Sequence, residues 1–156
     1  MHIITPLLLL TLVTAAAQTH DYPKTPPDKP VRARGGQQVS AFDRTIAPYI
    51  AKAHKTYPAA KKRFLAGLPS KYLFSLTTKL WDRPHTKFEV VFVVADQIND
   101  GIVTGHFATH TRQPVGYDYG DRISFPESEV MDWTIVHPDG TEEGNVVGKF
   151  LDTYLR

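Results

Sequence analysis

The chain has 156 residues, with 18 Lys or Arg against 16 Asp or Glu, a net charge of +2, and no cysteine. The length suits one domain with a real core. The missing cysteines exclude disulfides, a thiol nucleophile and any thiolate metal site, so in an oxidising compartment packing alone must hold the fold.

Residues 1–17 carry no Lys, Arg, Asp or Glu; an apolar run from Ile3 to Val13 is followed by Ala15-Ala16-Ala17. This pattern predicts a cleaved secretory signal, too short to cross a bilayer as a helix, and with it a periplasmic or secreted protein with no transmembrane span after cleavage. Residues 18–38 hold Pro23, Pro26, Pro27 and Pro30, then Arg32, Arg34 and Gly35-Gly36. A stretch so poor in apolar side chains reads as a Pro-rich basic linker. Residues 39–156 then form a single domain.

Ser40 or Asp43 can cap a helix whose apolar positions Ile46, Tyr49, Ile50 and Ala53 recur at spacings of three and four, with Pro48 in its first turn. Thr56-Tyr57-Pro58 reads as a break. A second short helix then carries Phe64 and Leu65 and stops at Gly67. From Tyr72 to Trp81 the period changes to two, which predicts a long strand. Phe88 to Ala95, FEVVFVVA, is the most apolar strand and the expected central one. Asp96 to Gly101 turns the chain into a third strand from Ile102 to Phe107, where Gly105 signals a bulge or a close backbone approach.

Gly120 to Val136, GDRISFPESEVMDWTIV, is the most informative stretch. Gly120-Asp121 delivers the chain into a strand with Ile123 and Phe125 on one face. Pro126 ends it, Glu127 to Glu129 make an acidic corner, and Val130 to Val136 return inward with Trp133 as the expected anchor, its N–H needing a partner. Pro138-Asp139-Gly140 is a turn, and Asn145 to Leu155 reads as a closing helix with Val146, Val147, Phe150, Leu151 and Tyr154 inward. Helices, then strands on short connections, then one helix predict an α+β fold: N-terminal helices, a curved antiparallel sheet of about five strands covered on one face, and a C-terminal helix.

The net charge hides a split. Residues 39–87 sum to +8 and residues 88–156 to −8. A basic helical layer can simply dock on an acidic sheet. Alternatively Lys52, Lys55, Lys61, Lys62 and Arg63 form a binding face for an envelope protein or an anionic surface. Nucleic acid is not an expected partner, because the cluster lacks a recognised binding motif.

No residue set amounts to a recognisable catalytic constellation. His106 and His110 lie four apart on a strand, about 13 Å along it, which is too far for one metal ion. Asp118, Asp121, Glu127, Glu129 and Asp132 form an acidic run without the regular spacing of a cation loop. Asp132 stands out, because a carboxylate beside Trp133 among apolar neighbours needs hydrogen bonds; accepting backbone donors is the first reading and general base the second. No cofactor or metal is expected. Neither a nucleophile elbow nor a phosphate-binding glycine loop is present.

Asp100-Gly101-Ile102-Val103-Thr104-Gly105, then Gly120-Asp121-Arg122-Ile123-Ser124-Phe125 and Val130-Met131-Asp132-Trp133, together with the helix from Ala51 to Phe64, resemble the YegJ-like group of bacterial domains of unknown function. The resemblance covers roughly residues 40–154. It implies a small α+β domain, often exported, with no established activity. Where that group carries a Glu-His pair and a tryptophan in the central strand, this chain has Glu89, Val90 and Phe92. Glu89, Asp132 and Trp133 are the matched positions, and with Asp121 they are the candidate functional residues. The expected function is an exported, non-enzymatic binding module. A small carboxylate- and histidine-dependent hydrolase or lyase, and an inhibitor or immunity protein for an envelope toxin, are the alternatives.

Overall fold

The computed structural model describes residues 32–34, 36–108 and 117–154. The predicted signal, His110 and most of the predicted linker lie outside the described residues. The linker's end does not: Arg32–Arg34 form strand β1, and helix α1 begins at Gly36 and runs to Leu65.

The predicted pair of helices is one helix of 30 residues that continues through both Pro48 and Pro58. An interior proline removes one backbone hydrogen bond and crowds the carbonyl four residues earlier. Both prolines are exposed, on the side turned away from the sheet. There the freed carbonyls can meet water and the helix can bow around the core, while Phe42, Ile46, Ala53 and Ala60 keep an unbroken buried stripe. Backbone bonds from Ala66 to Lys62 and from Gly67 to Phe64 close the helix at the expected place.

Strands β2 (Leu73–Trp81), β3 (Lys87–Asn99), β4 (Ile102–Phe107), β5 (Arg122–Pro126), β6 (Asp132–Val136) and β7 (Glu142–Gly144) follow, and helix α2 (Val146–Tyr154) closes the chain. The fold is α+β. All pairings are antiparallel in the order β5-β4-β3-β2-β6-β7, with β1 added beside Lys87 to Glu89 of β3. The expected strands form, and β1 and β7 join them.

Strand β3 outruns its expected end because a bulge at Asp96, between Ala95 and Gln97, absorbs the change of polarity. The turn is only Asp100-Gly101, both with positive φ (48° and 74°), the backbone that a two-residue hairpin requires. Gly105 faces this bulge. A Cβ there would lie 2.2 Å from the Val94 carbonyl oxygen, so the close backbone approach is real.

The sheet is buried on both faces at β3, not on one. Val91 and Val93 belong to a cluster with Phe74, Leu76, Phe107, Trp133 and Ala60 of α1. Phe88 and Val90 belong to a second, with Phe42 and Ile46 of α1 and Val147 and Leu151 of α2. Neighbouring residues on a strand point to opposite sides, so an apolar run without alternation requires two covers. Of the inward positions expected on α2, Val147 and Leu151 are buried and Phe150 stacks on Tyr49 at 3.9 Å, but Tyr154 is 51% exposed.

Candidate functional site

Trp133 is the predicted anchor, and its indole N–H donates to Thr56 Oγ1 at 3.0 Å and to the Ala53 carbonyl at 3.3 Å, both on α1. Asp132 beside it is fully buried. One carboxylate oxygen accepts the Trp133 N–H at 2.8 Å and the other the Val147 N–H at 2.5 Å. Helix α2 starts just after Gly144 and Asn145, both with positive φ, and Asp132 serves its first turn from the adjacent strand by accepting the Val147 N–H. Burial pushes the carboxyl up to about 6, against the opposing pull of the backbone amides of Val147, Trp133, Gly148 and Val146. A carboxylate with both oxygens engaged and no exposed surface is placed to hold a helix, not to reach a substrate.

A second polar assembly joins α1 to the β5–β6 connection. The Lys61 Nζ donates to Glu127 Oε1 at 2.6 Å and to Oε2 at 2.8 Å, and the Tyr57 hydroxyl donates to Oε1 at 3.0 Å. One helical turn earlier, His54 Nε2 lies 2.7 Å from the Val130 carbonyl, which can only accept, so that nitrogen carries a proton. Burial first, and then Glu127, raise the Tyr57 hydroxyl well above its ordinary range. His54, Tyr57 and Glu127 line a cleft of about 430 Å³ with Gly101, Ser128 and Val130. Its polar groups point at one another across α1 and the short 3-10 turn Glu127–Glu129, which is also held by the Glu127 N–H donating to the Gly101 carbonyl and by Thr78 of β2 donating to the Glu129 carbonyl. The assembly is a clamp. In the sequence its only trace is the spacing of three and four among His54, Tyr57 and Lys61, which puts them on one side of a helix; Glu127 lies 66 residues beyond Lys61.

The basic cluster therefore divides. Lys61 is committed to Glu127, and Arg63 makes a bidentate pair with Glu143 at 2.6 and 2.9 Å. Glu143 also meets His137 at 2.9 Å; the Arg63 guanidinium, and then His137, pull its carboxyl down to about 2. Lys52, Lys55 and Lys62 are exposed and make no ion pair among the described residues. At 100° per residue they share an arc of about 80° with Arg44, which is also exposed and makes no ion pair among the described residues, opposite the buried stripe. Pro48, Ala51 and Ala59 fill the space between them. The one acidic residue of α1, Asp43, is turned toward Lys79 of β2 and pairs with it, the Lys79 Nζ lying over the rings of Phe42 and Phe88.

The remaining candidates do not converge. Asp121 is exposed in the turn before β5, where its carboxylate accepts the Asp118 N–H at 2.8 Å. Glu89 is buried on β3, in register with Leu80 of β2 and Arg32 of β1. His106 on β4 pairs with Asp96 at 2.8 Å, and two strands separate β4 from β6, which carries Asp132. Among the described residues no group of three or more His, Asp or Glu side chains is placed to hold a metal ion, and no helix is long and apolar enough to cross a membrane. No protein-family model matches this chain, and no curated protein or solved structure shows a significant match to it.

Proposed function

We propose that this chain is an exported binding module of the bacterial envelope, of the YegJ-like kind, that presents the outward face of α1 to an anionic partner. The carrying observation is the division of the basic residues: those that meet the acidic sheet are neutralised there, whereas Arg44, Lys52, Lys55 and Lys62 stay exposed on one side of one helix. Charges of one sign on a helix whose one acidic residue, Asp43, is turned to Lys79 create a field that steers an anionic surface toward that face. The apolar leader Ile3 to Val13 with Ala15-Ala16-Ala17 supports export.

The test is crosslinked affinity capture from the organism's own envelope fraction, with wild type compared against the combined Lys52→Ser, Lys55→Ser and Lys62→Ser variant. Lys61 and Arg63 are left in place because their loss would open the clamps. Retention of envelope material by wild type and its loss in the variant is the expected result. Equal retention by both, or none by either, overturns the reading.

A further inference from the structure

Resting on that reading, we infer that the outward face of α1 docks on the anionic headgroups of a lipid bilayer as a peripheral contact without insertion. Arg44 and Lys62 mark the ends of the strip, about 27 Å apart along the axis at 1.5 Å per residue, and Lys52 and Lys55 lie between them. Four cations spread along a line do not converge on a point, so a compact anion would meet at most two of them. Two clefts among the described residues open elsewhere than on the strip: one is lined by His54 and Tyr57, the other by Phe64, Leu68 and Tyr72, on other sides of the helix.

The chemistry between the charges narrows the partner further. A protein interface takes its energy from a buried centre rich in aromatic and large apolar side chains. This strip has only proline and alanine between its cations, so the lysine and arginine heads stand highest. An inserting helix needs Trp, Phe or Leu on the contact face; here Phe42 and Phe64 pack on the opposite side against the core, and the exposed Leu65 at the helix end lies outside the arc of the cations. What is left is a flat, single-signed surface that gains from every headgroup it approaches and excludes no particular one. Basic residues near an anionic leaflet contribute additively and are screened by salt.

The experiment is sedimentation of the full chain with extruded vesicles of phosphatidylcholine alone and with about one third phosphatidylglycerol, at about 0.1 M and about 0.5 M salt. The apolar leader, where retained, adds affinity that does not depend on lipid charge, so the readout is the ratio between the two vesicle compositions. Wild type should show a large ratio that collapses at the higher salt. The combined Lys52→Ser, Lys55→Ser and Lys62→Ser variant should lower it on the order of 100-fold. The corresponding triple arginine variant should restore it, because charge and not lysine itself is used. A ratio near one for wild type, or one unchanged in the serine variant while circular dichroism shows a native fold, overturns the inference. Capture of envelope material that succeeds but is abolished by protease treatment of that material overturns the lipid assignment alone and leaves the anionic-partner reading standing.

Discussion

Replacing Asp132 with asparagine should remove a pH dependence whose sign is opposite to that of a surface carboxylate. The side chain is fully buried, and burial lifts its carboxyl from the ordinary 3.8 to about 6 despite the amides around it. With the folded value above the unfolded one, the native state binds the proton first as pH falls. The contribution is therefore fully present below about pH 4 and is lost as pH rises through about 6. The gap from 3.8 to about 6 corresponds to about 3 kcal/mol. Urea unfolding of wild type and Asp132→Asn across the range from about pH 4 to about pH 7.5 isolates this term, because the amide is nearly isosteric and does not titrate. The asparagine turns one N–H toward a backbone donor, which subtracts a roughly constant 1–3 kcal/mol from the variant at every pH. On top of that offset, wild-type stability minus variant stability should fall by about 3 kcal/mol from the acid end to the neutral end. A difference that stays flat would refute the reasoning, and one that rises would mean that the four amides outweigh burial.

Other outcomes follow from the packing. Gly105→Ala forces a methyl group to 2.2 Å from the Val94 carbonyl, a backbone atom that cannot swing away; chemical denaturation should show a loss of roughly 2 kcal/mol or more, and a near-neutral result would mean that β3 and β4 separate easily. Pro58→Ala restores a helical N–H at an exposed position without touching the core, so thermal and urea unfolding should show a gain of about 1–3 kcal/mol. Glu127→Gln removes the charge beside Tyr57 and leaves its burial intact. Ultraviolet titration of that phenol, assigned by its loss in Tyr57→Phe, should give a midpoint below wild type yet above the ordinary 10.0; an unchanged midpoint would show that Glu127 has no part in it.

The sheet was legible in the sequence wherever polarity alternates or a turn dipeptide intervenes. Ile102 to Phe107, Arg122 to Phe125 and the return through Trp133 appear where the alternation puts them. Strand β7 was not legible, since Glu142-Glu143-Gly144 has no apolar residue and pairs only because the Pro138 turn and α2 pin it beside β6. Helix α1 was misread at Pro58 because local propensity sees the lost hydrogen bond and not the tertiary packing of Ala53, Ala60 and Phe64 that carries the helix through. Asp132 could be singled out because a lone carboxylate in an apolar run demands partners. Which partners they are depends on Gly144 and Asn145 turning α2 back onto the strand. The Lys61–Glu127 clamp was out of reach, because an ion pair between residues so far apart in the chain leaves no periodic trace. Knowing that clamp together with the Arg63–Glu143 pair is also what reduces five candidate binding cations to three.

The length of α1 bears on how the protein comes apart. Its first half supplies Phe42 and Ile46 to the cluster shared with α2, and its second half supplies Ala60 to the cluster on the opposite face of β3. A strand buried on two sides would ordinarily let one cover lift while the other stays down, giving two cooperative units with separate opening energies. Here a single rigid rod belongs to both covers, so neither can detach without dragging the other. Amides of β3 bonded beneath either cluster should therefore exchange with solvent through the same global event. A partner seated anywhere along the outer side of that rod would stiffen the whole domain, rather than only the region beneath it.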